Sequence, residues 1–205
     1  MQVIFVFIVL VFGFVSQAQA LVRMNFYGLV NETRPKVSSS NADSYSPNNG
    51  LGLGLSLNAT LTPALALEVG ANYLQRKYKR NLLTFNREFS EEAFQIPVLM
   101  RGYFLGIFSV GLGGYYNYYQ GNVKYDVVSN GVASASVSNS RTGYRSTSDY
   151  GAMAALGVDI PLSPISGLMV DTRYLFGLHN NAINGSALKF DEWQLLVGLR
   201  FGISK

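Results

Sequence analysis

The chain has 205 residues, of which 48% are hydrophobic, 13% aromatic and only 14% charged, with 21 glycines and a formal net charge of +4. Soluble domains are nearer a quarter charged, and intrinsic disorder requires low hydrophobicity with high charge, so this composition excludes a disordered chain. The basic residues form no dense run that could track phosphates, which excludes a nucleic-acid binder. The absence of Cys excludes a disulfide framework and a cysteine nucleophile, and a single His excludes a multi-histidine zinc centre, so no metal and no cofactor is expected.

From the N-terminus, Val3 to Val15 is an apolar run broken by Gly13, followed by Ser16-Gln17-Ala18-Gln19-Ala20 with a small-x-small cleavage pattern. Such a run rises about 20 Å as a helix, against a bilayer core of roughly 30 Å. It reads as a cleavable secretory signal peptide over 1–20, leaving 21–205 as one exported domain.

Beyond Ala20 the recurring period is two. Leu51, Leu53, Leu55 and Leu57 alternate with Gly52, Gly54, Ser56 and Asn58; Leu65, Leu67, Val69 and Tyr73 with Ala66, Glu68, Gly70 and Asn72. Phe94, Ile96, Val98 and Met100 alternate with Gln95, Pro97, Leu99 and Arg101, and Trp193, Leu195, Val197 and Leu199 with Gln194, Leu196, Gly198 and Arg200. The pattern predicts eight strands near 21–31, 50–61, 65–78, 92–104, 107–120, 149–160, 166–179 and 189–203. These are long enough to cross a bilayer at a tilt. Short turns at 62–64, 105–106 and 161–165 alternate with long polar loops at 32–49, 79–91, 121–148 and 180–188, the loop sorting of an outer-membrane barrel.

Charge decides which face meets lipid. Arg23, Glu68, Arg76, Arg101, Asp159, Asp171, Arg173, Glu192 and Arg200 all fall on one face, which is also rich in glycine, and the other face is read as carrying none. The apolar face ends in aromatics, with Tyr73, Phe94, Tyr116, Tyr118, Tyr150, Phe176 and Trp193 toward the loops and Phe104, Phe108 and Phe201 toward the turns. Two aromatic bands around an aliphatic belt match the interfacial girdles of membrane barrels. The expected fold is therefore all-β: an eight-stranded antiparallel transmembrane β-barrel, an up-and-down meander in a bacterial outer membrane.

Phe94-Gln95-Ile96-Pro97-Val98-Leu99-Met100-Arg101 resembles the "IP-x-L-x-K/R" strand of PorT-like outer-membrane β-barrel proteins, and Val110-Gly111-Leu112-Gly113-Gly114-Tyr115-Tyr116 resembles their glycine-rich next strand. Asp149-Tyr150-Gly151, Leu156-Gly157-Val158-Asp159, Asp171-Thr172-Arg173-Tyr174 and Phe176-Gly177-Leu178 are similar to the following two, so that the likeness covers about residues 50–203. The architecture is also similar to small OmpX- and OmpA-type barrels. The resemblance implies an eight-stranded outer-membrane barrel, a secretion link for some members, and no catalytic residues.

Within such a barrel, Glu68, Arg101, Asp159, Asp171, Arg173, Glu192 and Arg200 are the candidate lumen charge network, with Asp171 and Arg173 expected at its centre beside Arg101 and Glu68. Buried charges must pair, which favours a plugged, non-enzymatic scaffold over the alternative, a narrow porin-like channel. A third reading, a lipid A-modifying enzyme, would need His179 near the outer rim with Ser186, Asp191 or Glu192 beside it. In the longest loop, Arg141, Tyr144 and Arg145 are the candidates for binding lipopolysaccharide phosphates or a surface partner, and Val132 to Val137 alternates as an extended hairpin would. The expected partners are the lipid bilayer, lipopolysaccharide and a surface or secretion protein, with the barrel itself a monomer.

Overall fold

The computed structural model describes residues 22–37, 44–82, 85–129, 132–141, 145–182 and 187–203. The expected signal peptide lies outside them. Nine antiparallel strands follow in order: β1 (Val22–Val37), β2 (Ser44–Thr62), β3 (Leu65–Asn81), β4 (Asn86–Phe104), β5 (Phe108–Ser129), β6 (Val132–Asn139), β7 (Ser148–Ser163), β8 (Ser166–Gly177) and β9 (Leu188–Ile203). Sequential neighbours pair except β6 and β7, β5 pairs with β7 instead, and β9 returns to β1, which closes eight of the strands into a ring.

The count is nine rather than the expected eight, and β6 is the difference. β5 runs for 22 residues and pairs with β7 only from Phe108 to Tyr118. Above that level its free edge, from Val123 to Ser129, is taken by β6. An exposed edge leaves backbone donors and acceptors unpaired, so the alternating segment at 132–137 folds back onto β5 and extends the wall without entering the ring.

The strands also run further into the loops than the alternation predicts; β1 continues to Val37 and β4 begins at Asn86. The reason is a change in which face is apolar. Between the aromatic bands Leu53, Leu112, Leu156 and Val197 point out, while Asn25, Ser56, Asn72, Gln95 and Asn117 are buried inside. Above the upper band Tyr78, Phe89, Val123, Leu188 and Phe190 turn inward and form a buried cluster. Lys77, Glu88, Lys124, Lys189 and Asp191 occupy the outer face there, so the expectation of a charge-free outer face holds only between the bands.

Two local features show how the wall accommodates its sequence. Pro97 lies within β4, and the β3 ladder lapses between Val69↔Val98 and Asn72↔Gln95 because Pro has no N–H to donate. Gly70 stands opposite, and a Cβ there would come within 2.9 Å of Pro97 Cγ. The β4–β5 turn takes φ of 52° at Leu105 and 73° at Gly106, a left-handed bend that glycine tolerates and leucine adopts at a cost of about 1–2 kcal/mol.

Leu112 sits outward in the belt with 70% of its surface exposed. Leu112→Arg should destabilise the folded barrel by about 2–4 kcal/mol in lipid vesicles, measured by denaturant unfolding, because the charge enters the hydrocarbon midplane.

Candidate functional site: the lumen and its outer mouth

Three strands deliver four groups to the middle of the lumen. Glu68 on β3, Arg101 on β4 and Asp171 and Arg173 on β8 all have inward parity and are at most 2% exposed. Arg173 Nη2 donates to Glu68 Oε1 at 2.7 Å and Arg173 Nε to Asp171 Oδ2 at 2.7 Å. Arg101 Nη2 and Nη1 donate to Asp171 Oδ2 and Oδ1 at 2.5 and 3.1 Å, and Arg101 Nε donates to Glu68 Oε2. The result is a closed ring of two cations and two anions. Each guanidinium bridges both carboxylates, so the charge is cancelled locally through the fork geometry of Arg. Room for this comes from Gly157, where a Cβ would lie 2.8 Å from Asp171 Oδ1 and 3.2 Å from Arg101 Nη1.

The other expected network members are held apart from this ring. Arg200 Nη1 pairs with Asp159 near the short turns, and Arg200 Nε donates to Asn25 Oδ1 at 3.0 Å. Glu192 pairs with Arg76 Nε higher in the lumen, where Arg76 Nη1 also donates to Asp149 Oδ2 at 2.9 Å and Tyr119 Oη to the same oxygen at 2.5 Å. A neutral chain connects the levels: Tyr27 Oη donates to Asn72 Oδ1 at 2.7 Å, Asn72 Nδ2 to Gln95 Oε1 at 2.9 Å, and Gln194 Nε2 to Gln95 Oε1 and Glu192 Oε2, both at 3.3 Å.

The outer mouth corrects the surface-binding expectation for two residues. Arg141 and Arg145 are 4% and 6% exposed, folded inward rather than offered to solvent. Arg141 Nη2 donates to Glu91 Oε2 at 2.7 Å, Arg145 Nε lies 3.6 Å from Glu91 Oε1, and Tyr78 Oη donates to Glu91 Oε1 at 2.8 Å. The Arg145 guanidinium covers the rings of Tyr78 and Phe89 at 5.3 and 5.2 Å, and that of Arg141 covers Tyr119 at 4.3 Å. A buried carboxylate on one wall and a stack of inward aromatics draw the segment down. Tyr144 lies outside the described residues. Burial alone would raise the Glu91 carboxyl, but Arg145 and Arg141 outweigh it and hold the group below its ordinary value.

Sequence reasoning missed Glu91 and Asp149 as network members. Glu91 fell in a segment read as loop, and Asp149 at a strand start; both have the inward parity of their strands. His179 packs against Tyr150 in a tilted contact, 5.3 Å between centroids and 46° between planes. The acids expected beside it are engaged elsewhere: Glu192 points into the lumen on Arg76, and Asp191 on the outer face accepts from Tyr174 Oη at 2.7 Å and from the Gly177 backbone N–H at 3.2 Å. Ser186 lies outside the described residues. Among the described residues no group of three or more His, Asp or Glu side chains is placed to hold a metal ion.

Two outcomes follow from this geometry. Arg173→Ala leaves Glu68 and Asp171 to share Arg101 alone, with one buried negative charge uncompensated, and should destabilise the barrel by about 3–5 kcal/mol in a denaturant titration. Because the folded Glu91 carboxyl titrates below its unfolded value of 4.5, its contribution is fully present above that pH and is lost as pH falls through the lower folded value. Glu91→Gln should reproduce the low-pH state at neutral pH, opening the chain after Arg141 and Arg145 to trypsin, which the wild type resists.

A family model described as outer membrane protein beta-barrel domain matches residues 5–201. Among solved structures, the outer membrane protein OprG from Pseudomonas aeruginosa is similar with a TM-score of 0.60 at 13% identity, over 91% of this chain and 97% of that one. Ail, the attachment invasion locus protein of Yersinia pestis, aligns at a TM-score of 0.47 and 14% identity over 87% and 98%. Neisserial surface protein A aligns at 0.46 and 16% over 86% and 96%. Identities this low speak to the fold alone. No curated protein matches the chain in sequence.

Proposed function

We propose a function from one premise: the chain belongs to the outer membrane protein β-barrel domain family. Its task is that of a closed, non-enzymatic surface scaffold in the outer membrane, with the short turns in the periplasm, the long loops outside, and a lumen that does not conduct. The observation that carries this reading is the vertical stack of blocked levels. The Glu68–Arg101–Asp171–Arg173 ring lies below the Arg76–Asp149–Glu192 cluster, and Arg141 and Arg145 over Glu91 close the mouth above both. An eight-stranded ring is just wide enough for side chains to fill, and a permeating ion would have to displace charge pairs that have no solvent to receive them.

The Phe94–Arg101 motif supports the finer assignment to a PorT-like, secretion-associated role, with a surface or secretion partner met at the long-loop end and lipopolysaccharide around the monomeric barrel. Export by the 1–20 signal peptide belongs to the same reading and predicts a mature N-terminus near Leu21.

Purified mature protein should run faster on an SDS gel unheated than boiled, and in planar bilayers it should give no unitary current steps. Regular steps from the wild type would replace the scaffold with a pore. Steps that arise only in Glu91→Gln would show that the mouth segment is the seal.

A further inference from the structure

At the opposite end of the lumen, the short-turn mouth holds a basin that the plugging networks do not use. It has a volume of about 260 Å³ and is lined by Arg23, Asp159, Ser163, Ser166, Arg200 and Gly202, among others. The β7–β8 turn forms one side, and the Asp159–Arg200 pair lies on another. Two guanidinium groups stand over one aromatic ring here, Arg23 at 5.6 Å and Arg200 at 5.9 Å from the centroid of Tyr103. Two like charges near one ring are tolerated because its quadrupole attracts each.

The charges do not balance. Among the described residues Asp159 is the only carboxylate lining the basin, and it is engaged by Arg200. Arg23 has no carboxylate within salt-bridge distance among the described residues. The buried guanidiniums higher in the lumen each lie against a carboxylate, whereas the half-buried Arg23 faces the basin without one in contact. Arg200 is 7% exposed, with Nε and Nη1 committed to Asn25 and Asp159, so its orientation is fixed while it lines the basin. The Tyr103 hydroxyl is buried with no hydrogen-bond partner, a second unmet polar group in the same cluster.

We infer that this basin is an oxyanion-binding site, in which a phosphate or carboxylate group seats between Arg23 and Arg200. A planar fork on one side and a pre-oriented guanidinium on the other supply charge-assisted donors suited to that geometry. The ligand class is a small oxyanion, or the oxyanion end of a larger molecule on the short-turn side of the membrane. The site is independent of whether the lumen conducts, because it lies below the central ring.

The test titrates the folded barrel in detergent micelles at low ionic strength with inorganic phosphate and, separately, with acetate, following the arginine side-chain N–H resonances and the heat of binding. Saturable binding by the wild type is expected, weakened about tenfold or more in Arg23→Gln, which breaks no ion pair and should keep the heat-modifiable gel shift. Asp159→Asn frees Arg200 from its carboxylate and should tighten binding, a gain that misfolding does not produce. Preference for phosphate assigns a phosphate-bearing ligand, and equal or stronger binding of acetate assigns a carboxylate-bearing one. No saturable binding of either anion, or equal binding by Arg23→Gln, overturns the site.

Discussion

The ring made by Glu68, Arg101, Asp171 and Arg173 is the interaction on which the rest of the interior depends. A narrow closed sheet in lipid has to put its polar side chains inside, and the inside has no bulk water to solvate them. Charges can remain there only when each finds its opposite at hydrogen-bond distance. The two guanidiniums and two carboxylates meet that demand together, since each Arg touches both acids; removing one leaves its two partners to share a single opposite charge. Small residues are placed around this demand. Gly157 and Gly111 leave the volume that the Arg101 side chain occupies.

The same rule explains why the barrel has two interiors. Between the aromatic bands the solvent outside is hydrocarbon, so leucines face out and amides and charges face in. Above the upper band the solvent outside is water. There the wall keeps its hydrogen-bonded ladder but exchanges its faces, with Tyr78, Phe89 and Phe190 inside and Lys77, Glu88 and Lys189 outside. On β2 the exchange is made by register, since the β2–β3 ladder shifts between Pro47 and Gly52; on β3, β4 and β9 the parity is kept and the residue types change. The aromatic interior above the membrane then receives Arg141 and Arg145, which would otherwise sit on a solvated loop. The outer mouth is thus closed by ordinary protein core chemistry, and the membrane-level lumen by charge pairing.

The alternation between the bands was legible because a strand has a strict period of two and lipid penalises a charge on the wrong face. Arg101, Asp171 and Arg173 could be assigned inward from that alone. The extensions of β1, β4 and β5 were not legible, since a strand whose apolar face switches sides looks polar on average and reads as loop. Glu91 was lost for this reason. Arg141 and Arg145 were misread for another: a basic residue in a Ser-rich loop carries no local mark of the carboxylate, fifty positions earlier in the chain, that buries it.

The sequence by itself determined the fold class, the face of each membrane-crossing strand and the sorting of turns from loops, because these follow from local periodicity and from composition. The partner of each charge was decided only by the tertiary structure. Arg173 meets Glu68 across 105 positions and Arg76 meets Glu192 across 116. Such pairings depend on how the ring closes and on the stagger of its strands, a global constraint that no segment carries. The ninth strand was decided at that level as well, since β6 exists because β5 outruns β7 and leaves an edge to be covered. So was the unmatched Arg23, which stands out only once every other guanidinium in the lumen is seen beside its carboxylate.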